Sequence, residues 1–488
     1  MTEYIIVLDQ GSSSSRALAV DRHGVVKFKV LKPLQASYPR EGMAEYDASA
    51  LLQSQLKALE ELLRKLPRSA RPVAMGIAAQ RSTFVLWDRK TGTPLCPALS
   101  WQDGRAVKEL DEAGLDPIKV HFTTGLYKTP YYSASKMLWC IKNLPEVKAA
   151  RDSGRLMAGP VTSFLIWHLT RGDVFAADPT MAQRTLLFNI KRSCWDESLL
   201  GSFSIPSSIL PAIRPTVGAW GEYRKGRLKI PVNVTIGDQQ AAVAGLGVNR
   251  AGMTALNYGT GAFLLCNTGR EMHQIPGLLT SVGLQDGSGK NSYLLEGTVN
   301  SAASTLEWMK ILGLLDNIKE ADSMCRASKG GVMVLPALGG LGAPRWDYLT
   351  STTMTGFNSQ TRRNDIVRGC VEGIACLVTD IAVLLKSRGL EPGETRASGG
   401  LAGLDYMMQF QANLFQRPVM RMVQPEATAA GAAMLAAGYA GMDVSDWPLD
   451  RAEKRFEPAV PAAEAEKLIK RWKAFVENCR KMSRDLNV

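Results

Sequence analysis

A carboxylate closing an apolar run, followed by glycine, a row of hydroxyls and a guanidinium, is chemistry suited to an anion and its counter-ion. The stretch is "IIVLDQGSSSSRALAVD", residues 5 to 21. Backbone N–H groups around a tight glycine turn converge on anions, and Ser12, Ser13 and Ser14 would extend such a cradle beyond Gly11. Arg16 adds a planar cationic fork matched to phosphate oxygens. Asp9 would be repelled by a phosphate but suits the magnesium ion that accompanies one, through water. No G-x-x-x-x-G-K-[ST] occurs in the chain, so the turn is not of the Walker type. Glycine and serine also favour plain hairpin turns for their own reasons, and the turn alone leaves both readings open.

Two further clusters carry chemistry. In "IGDQQAAVAG", Asp238 either caps a helix N-terminus or serves as a general base at a strand end, taking a proton from a hydroxyl that attacks phosphorus. The two roles are compatible, because a cap position also fixes the direction of the carboxylate. In "AQRSTFVLWD", "SWQDGR" and "TPYYSASK", the residues Arg81, Trp101 and Tyr131 offer stacking surface and donors to a hydroxylated ligand. Tryptophan and tyrosine serve equally as core or rim residues, so this cluster by itself does not decide.

The elements that must position these groups alternate. "EYIIVLDQ", "RALAVD" and "VVKFKV" read as three strands, so the glycine–serine turn joins two strands and does not open a helix. Asp47 can cap a helix through "SALLQSQLKALEELLRKL", with Leu52, Leu56, Leu59 and Leu63 on one stripe. "PVAMGIAAQ" is a buried strand leading to "RSTFVLWD", and "KIPVNVTIG" another leading to Asp238. Strands alternating with helices predict an α/β fold. "MTALNYGTGAFLLCNTG", 253–269, repeats the opening layout of strand, glycine turn and strand, which predicts an internal duplication with two lobes. Helices are expected over 361–385, after the glycines of 398–403 and over 427–442, the last a closely packed alanine–glycine helix. In "KLIKRWKAFVENCRKMSR", Leu468, Trp472, Phe475, Cys479 and Met482 form the apolar stripe of a basic amphipathic helix.

Composition narrows the class. At 488 residues with 45% hydrophobic and 21% charged residues, the chain predicts two or three globular domains. No secretory signal or membrane span is expected, since the first apolar run stops at Asp9. Eight cysteines without a C-x₂-C pair and four scattered histidines predict a reduced, cytoplasmic protein without structural zinc. The net charge of +12 is compatible with nucleic acid, a membrane surface or a polyanionic small molecule. No RNA-binding signature accompanies the basic patches, so neither a nucleic-acid partner nor membrane insertion is expected.

In order and spacing, these pieces resemble one known family. "LDQGSSSSRA" is similar to the D-Q-G-T-T-S-S-R-A turn of the glycerol kinase branch of the FGGY carbohydrate kinases. "AQRSTFVLWDRKTGTPLCPALSWQDGRA", "RTLLFNI", "GDQQAAVAGLG", "NYGTGAFLLCNTG", "LGGLGAPRWD" and "YMMQFQANLFQRPV" also have close counterparts there, over about residues 3–445. The resemblance implies an α/β, two-lobed, duplicated fold of the actin/hexokinase (ribonuclease H-like) type, with ATP and Mg²⁺ in the interlobe cleft. It implies lobes at 1–248 and 249–445 with an amphipathic helical extension at 446–488. By motif it makes Asp238 the catalytic base and sets Asp9, with Asp238, beside magnesium. It assigns Gly11, Ser12, Ser13, Ser14 and Arg16 to the first phosphate turn, and Gly259, Thr260 and Gly261 to the second. It places Gly400 beside the adenosine, and Arg81, Trp101, Tyr131, Asp238, Gln239 and Phe263 around the polyol. Its partners would be ATP and a small polyol or sugar, in a homo-oligomer of two or four copies.

The chain departs from the family pattern at identifiable points. The usual Arg-Glu of the glycerol pocket is Arg81-Ser82, which removes a charge and leaves room for a longer polyol or a ketose. Near the adenosine, D-G-G-A-x-x-N becomes "SGGLAGL", with Ser398 and Leu404 at the changed positions. G-A-S-I-Q becomes "SAASTLEW", with Ala303 and Glu307. An ATP-dependent polyol kinase is the leading expectation. A nucleotide-binding sensor without turnover and a basic nucleic-acid-binding protein are the alternatives.

Overall fold

Ile5, Ile6, Val7 and Leu8 are each fully buried, and this unbroken apolar run forms the middle of the first sheet. A computed structural model of the protein describes residues 2–423 and 426–486. The chain divides into two units. The first comprises Met1–Gly247, Thr280–Tyr293 and Glu426–Leu449; the second comprises Val248–Leu279, Leu294–Pro425 and Asp450–Val488. The first unit thus takes in two segments from beyond residue 248, and the segment after 446 divides between the units.

In the first unit, β1 (Thr2–Gln10), β2 (Ser14–Asp21) and β3 (Val26–Pro33) form an antiparallel meander. Helix α1 (Ala48–Lys65) begins where expected, and the Asp47 carboxylate accepts the Ala50 N–H at 2.9 Å. Leu51, Leu52, Leu59 and Leu62 are buried on it, whereas Leu56 and Leu63 pack at the edge of the core. The helix leads into β4 (Ala70–Ala79), parallel to β1. A second, four-stranded sheet contains β5 (Phe84–Asp88), which follows Arg81-Ser82 closely. Helix α2 (Ser133–Asn143) follows Tyr131, and β6 (Leu156–Pro160) pairs with β5. The hairpin β7 (Glu222–Lys225) and β8 (Leu228–Gly237) completes the first sheet, in the order β3-β2-β1-β4-β8-β7.

From β8 the chain turns directly into α3 (Asp238–Gly245). Asp238 is the first residue of this helix, not its N-cap. Gly237 holds the flanking position, and the Asp238 carboxylate accepts the neighbouring Gln239 N–H at 2.8 Å. Helix α3 packs on the helix Ala427–Tyr439 through glycines. A Cβ on Gly431 would lie 1.9 Å from the Ala241 carbonyl oxygen, and one on Gly245 would lie 1.8 Å from that of Ala427. The alanine–glycine composition of 427–442 is therefore a requirement of backbone-to-backbone contact.

The second unit repeats this plan. Six of the seven strands of its sheet are β9 (Thr254–Tyr258), β10 (Ala262–Gly269), β11 (Asn291–Val299, in this unit from Leu294 on), β12 (Thr395–Ser398), β13 (Val419–Met422) and β14 (Ala452–Phe456), in the order β11-β10-β9-β12-β13-β14. As in the first unit, an antiparallel hairpin (β9–β10) is followed outward by two parallel pairings and a final antiparallel one. Helices α4 (Ala303–Ile311), α5 (Arg363–Ser387), α6 (Asp405–Phe415) and α7 (Ala462–Asp485) also belong to this unit. On α7, Trp472, Val476, Cys479 and Ser483 point inward, but Met482 is 43% exposed. The expected stripe ends one residue early because Ser483 takes the inward place, where its hydroxyl accepts the Ser351 N–H at 3.1 Å. No helix among the described residues is long and apolar enough to cross a membrane.

Candidate active site

The first hairpin turn is tied back by its carbonyls. Gly11 N–H donates to the Ser14 carbonyl at 3.0 Å, and the Gly11 carbonyl accepts the side-chain amides of Gln10 and Gln80, each at 3.2 Å. Ser12 and Ser13 are exposed and Ser14 is half-buried, whereas Ser15 turns inward and donates to Gln10 Oε1 at 2.9 Å. Asp9 and Arg16 face each other across the β1–β2 ladder, and the guanidinium binds the Asp9 carboxylate. The other arm of Arg16 reaches Glu426 Oε2 at 2.7 Å. Arg16, which the residue pattern suggests as a phosphate fork, is thus engaged by two carboxylates. Burial pushes the Asp9 carboxyl up to about 6; Arg16 opposes that rise, and the negative charges of Asp238 and Glu426 add to it.

The polyol-side candidates gather in the same unit. The Arg81 guanidinium Nε lies 3.6 Å from Asp238 Oδ1. Ser82 is buried with φ at 64°, in the left-handed region, and its carbonyl accepts the Ser133 hydroxyl at 3.1 Å. Trp101 and Tyr131 are partly exposed with ring centroids 6.1 Å apart. Gln239 is half-buried beside Asp238 at the start of α3.

Three buried residues that motif reading passes over hold these groups in place. Gln80 Oε1 accepts the Thr83 hydroxyl at 3.0 Å, and Thr83 Oγ1 accepts the Trp101 N–H at 3.2 Å. Since Gln80 also binds the Gly11 carbonyl, one chain of hydrogen bonds runs from the first turn to Trp101. Lys136 is fully buried and donates from Nζ to the carbonyls of Ser100, at 2.7 Å, and Tyr131, at 3.0 Å. Burial pushes the Lys136 ammonium down to about 7; Asp103 pulls it up, and Arg105 adds to the fall. A lysine followed on its helix by Met137, Leu138 and Cys140 is the signal that could have singled it out.

In the second unit, the turn between β9 and β10 is filled on its carbonyl side by the start of α4. The Gly259 carbonyl accepts the Ala303 N–H at 3.0 Å, and the Thr260 carbonyl accepts those of Ala302 and Ser304 at 2.9 and 3.2 Å. A Cβ on Gly261 would sit 2.5 Å from the Val299 carbonyl oxygen, so close backbone approach requires glycine there. Phe263 is half-buried, opposite Asn257 in the ladder. Glu307 is exposed and paired with Lys310 at 2.8 Å. Gly400 has open space around its Cα, but Leu404 is buried in the apolar core of this unit.

Both halves of the chain match one family. The N-terminal domain of the FGGY family of carbohydrate kinases matches residues 4–245, and the C-terminal domain of the same family matches residues 254–440. The chain belongs to the FGGY family of carbohydrate kinases. Among its relatives, a glycerol kinase from Thermus brockianus is 39% identical, over 98% of this chain and 99% of its own. A glycerol kinase from Oleidesulfovibrio alaskensis is 37% identical over 99% of this chain and 100% of its own. The crystal structure of Plasmodium falciparum glycerol kinase with ADP superposes with a TM-score of 0.93 at 30% identity, over 98% of each chain. A gluconate kinase from Lactobacillus acidophilus shares the fold, with a TM-score of 0.87 at 22% identity over 99% of each chain. The protein is a glycerol kinase-like, ATP-dependent carbohydrate kinase with a two-unit α/β fold.

Proposed function

We propose that this FGGY kinase transfers the γ-phosphoryl group of ATP to a hydroxyl of a small polyol or sugar, with Asp238 as general base. The observation that carries this is the Arg81–Asp238 pair at the start of α3, where a carboxylate keeps part of its surface accessible beside a fixed guanidinium. Phosphoryl transfer asks a protein mainly for positioning and charge stabilisation. The Asp238 carboxylate would take the proton of the attacking hydroxyl, with Arg81 fixing its direction. Trp101, Tyr131, Gln239 and Phe263 are assigned to the acceptor. The turns Gly11–Ser14 and Gly259–Gly261 are assigned to the phosphates, with Arg16, Ala303, Glu307, Gly400 and Leu404 on the nucleotide side. The acceptor groups, first turn and base then belong to 1–248, apart from Phe263, and the second turn and adenosine side to 249–445.

Asp9 and Asp238 supply the hard oxygen donors that magnesium takes, and Asp9 feels the like charges of Asp238 and Glu426, which a divalent cation would relieve. Magnesium held by these two carboxylates would supply neutralisation of the triphosphate charge.

Glycerol fits the family resemblance, whereas Ser82 favours a longer acceptor, a tetritol, pentitol or ketopentose. A buried serine at this position offers a short hydroxyl where a carboxylate would fill space and carry charge. ADP release measured with glycerol, erythritol, xylitol, ribitol, D-xylulose and D-ribulose tests both statements. Acceptor-dependent turnover is expected with at least one of them, and turnover no higher than the ATPase background with all would contradict the proposal.

A further inference from the structure

Asp178 is a fully buried carboxylate in the first unit, with no place among the groups assigned so far. Its Oδ2 accepts the Thr180 N–H at 2.9 Å, the Thr180 hydroxyl at 2.6 Å and the Thr216 hydroxyl at 3.0 Å. Its Oδ1 is buried without a hydrogen-bond partner among the described residues. Burying a carboxylate is costly; this one caps the short helix Pro179–Ala182 through the Thr180 N–H and binds two hydroxyls besides.

Its effect is to orient a hydroxyl. Threonine has one proton to give and two lone pairs that accept. With its proton committed to Asp178, Thr180 Oγ1 can only accept from its other neighbour, and it accepts the Gly237 N–H at 2.8 Å. Gly237 is the last residue of β8, and Asp238 follows it. The corner is packed on its other side too: a Cβ on Gly237 would lie 2.8 Å from Gln240 Oε1 and 3.0 Å from Arg81 Cδ.

We propose that Thr180, oriented by Asp178, is a positioning residue that fixes the Gly237–Asp238 corner and thereby the direction of the Asp238 carboxylate. The proposal rests on Asp238 being the base. Without Asp178 the hydroxyl would lose the acceptor that holds its lone pairs toward the Gly237 N–H. Without the hydroxyl, the corner would lose its tether from this loop, and the carboxylate its register with the acceptor.

Steady-state kinetics with ATP and the best acceptor of the panel test it. Thr180→Val keeps the shape and removes the hydroxyl. It is expected to lower kcat ~10–100-fold, the cost of a misplacement of about 1 Å, and to leave both KM values within ~3-fold. Thr180→Ser restores the hydroxyl and is expected to keep kcat within ~3-fold of the wild type. The proposal is overturned if Thr180→Val folds with wild-type kcat, if its loss falls on KM, or if Thr180→Ser is equally slow. Should Thr180→Val not fold, kcat of Thr180→Ala against Thr180→Ser decides on the same terms. Asp238→Asn separates the two claims. If it turns over like the wild type, the base assignment fails and the positioning role with it; if it is slow while Thr180→Val is not, only the positioning role fails.

Discussion

Asp9 and Asp178 are carboxyls pushed up to about 6 by loss of water. A carboxyl whose value is raised on folding binds its proton more tightly in the native state than in the unfolded chain. The stability it contributes is complete below the ordinary value of 3.8 and is lost as pH rises through about 6. Asp178→Asn is therefore expected to gain in melting temperature relative to the wild type as pH rises from about 4 to 6.5. An unchanged slope in a thermal melt series would contradict the burial argument. Lys136 poses the reverse case, a cation kept from water by two carbonyls. Lys136→Met removes the penalty of burying the ammonium but leaves the Ser100 and Tyr131 carbonyls without their donor, at about 1–3 kcal/mol each. These effects oppose one another in stability, so the variant should show itself through the placement of Trp101 and Tyr131, proposed above to contact the acceptor. A rise of roughly tenfold in acceptor KM with ATP KM unchanged is expected, and equal changes in both would contradict it.

Among elements, the contact between α3 and the helix Ala427–Tyr439 is the most demanding. It brings two backbones together with glycine at both crossing points, so Gly431→Ala forces a methyl group to within 1.9 Å of the Ala241 carbonyl. Overpacking of this kind costs about 1–3 kcal/mol or more. Gly438, on the same helix, has no atom within 4 Å of the place a methyl group would take, and Gly438→Ala should be neutral or raise stability by about 0.5–1 kcal/mol. Melting temperatures of the two variants are expected to move in opposite directions, and a harmless Gly431→Ala would refute the close contact. Because α3 begins with Asp238, Gly431→Ala should also depress turnover.

At the scale of the whole molecule, much of the architecture was legible because it repeats. The strand–turn–strand layouts at 5–21 and 253–269 mark two sheets, and each opens on an antiparallel hairpin from which the strand order runs outward in the same way. Local signals were equally readable where their cause is local, as with Asp47 capping α1. What was not legible depends on residues far apart in the chain. Glu426 binds Arg16 from more than four hundred positions away, and Thr180 reaches Gly237 across 57. Met482 was misplaced because apolar spacing cannot tell which of two adjacent residues the core admits. Gln80, Thr83 and Lys136 lay within quoted motifs but act through backbone groups, which side-chain patterns do not reveal.

The most direct test of the account is acceptor-dependent ADP release by Asp238→Asn beside the wild type, with nucleotide affinity measured separately. With Asp238 as the base, kcat is expected to fall by about 10²–10⁴, the usual share of a general base, with nucleotide binding retained. Turnover within a few-fold of the wild type, or equal loss of nucleotide binding, would contradict it.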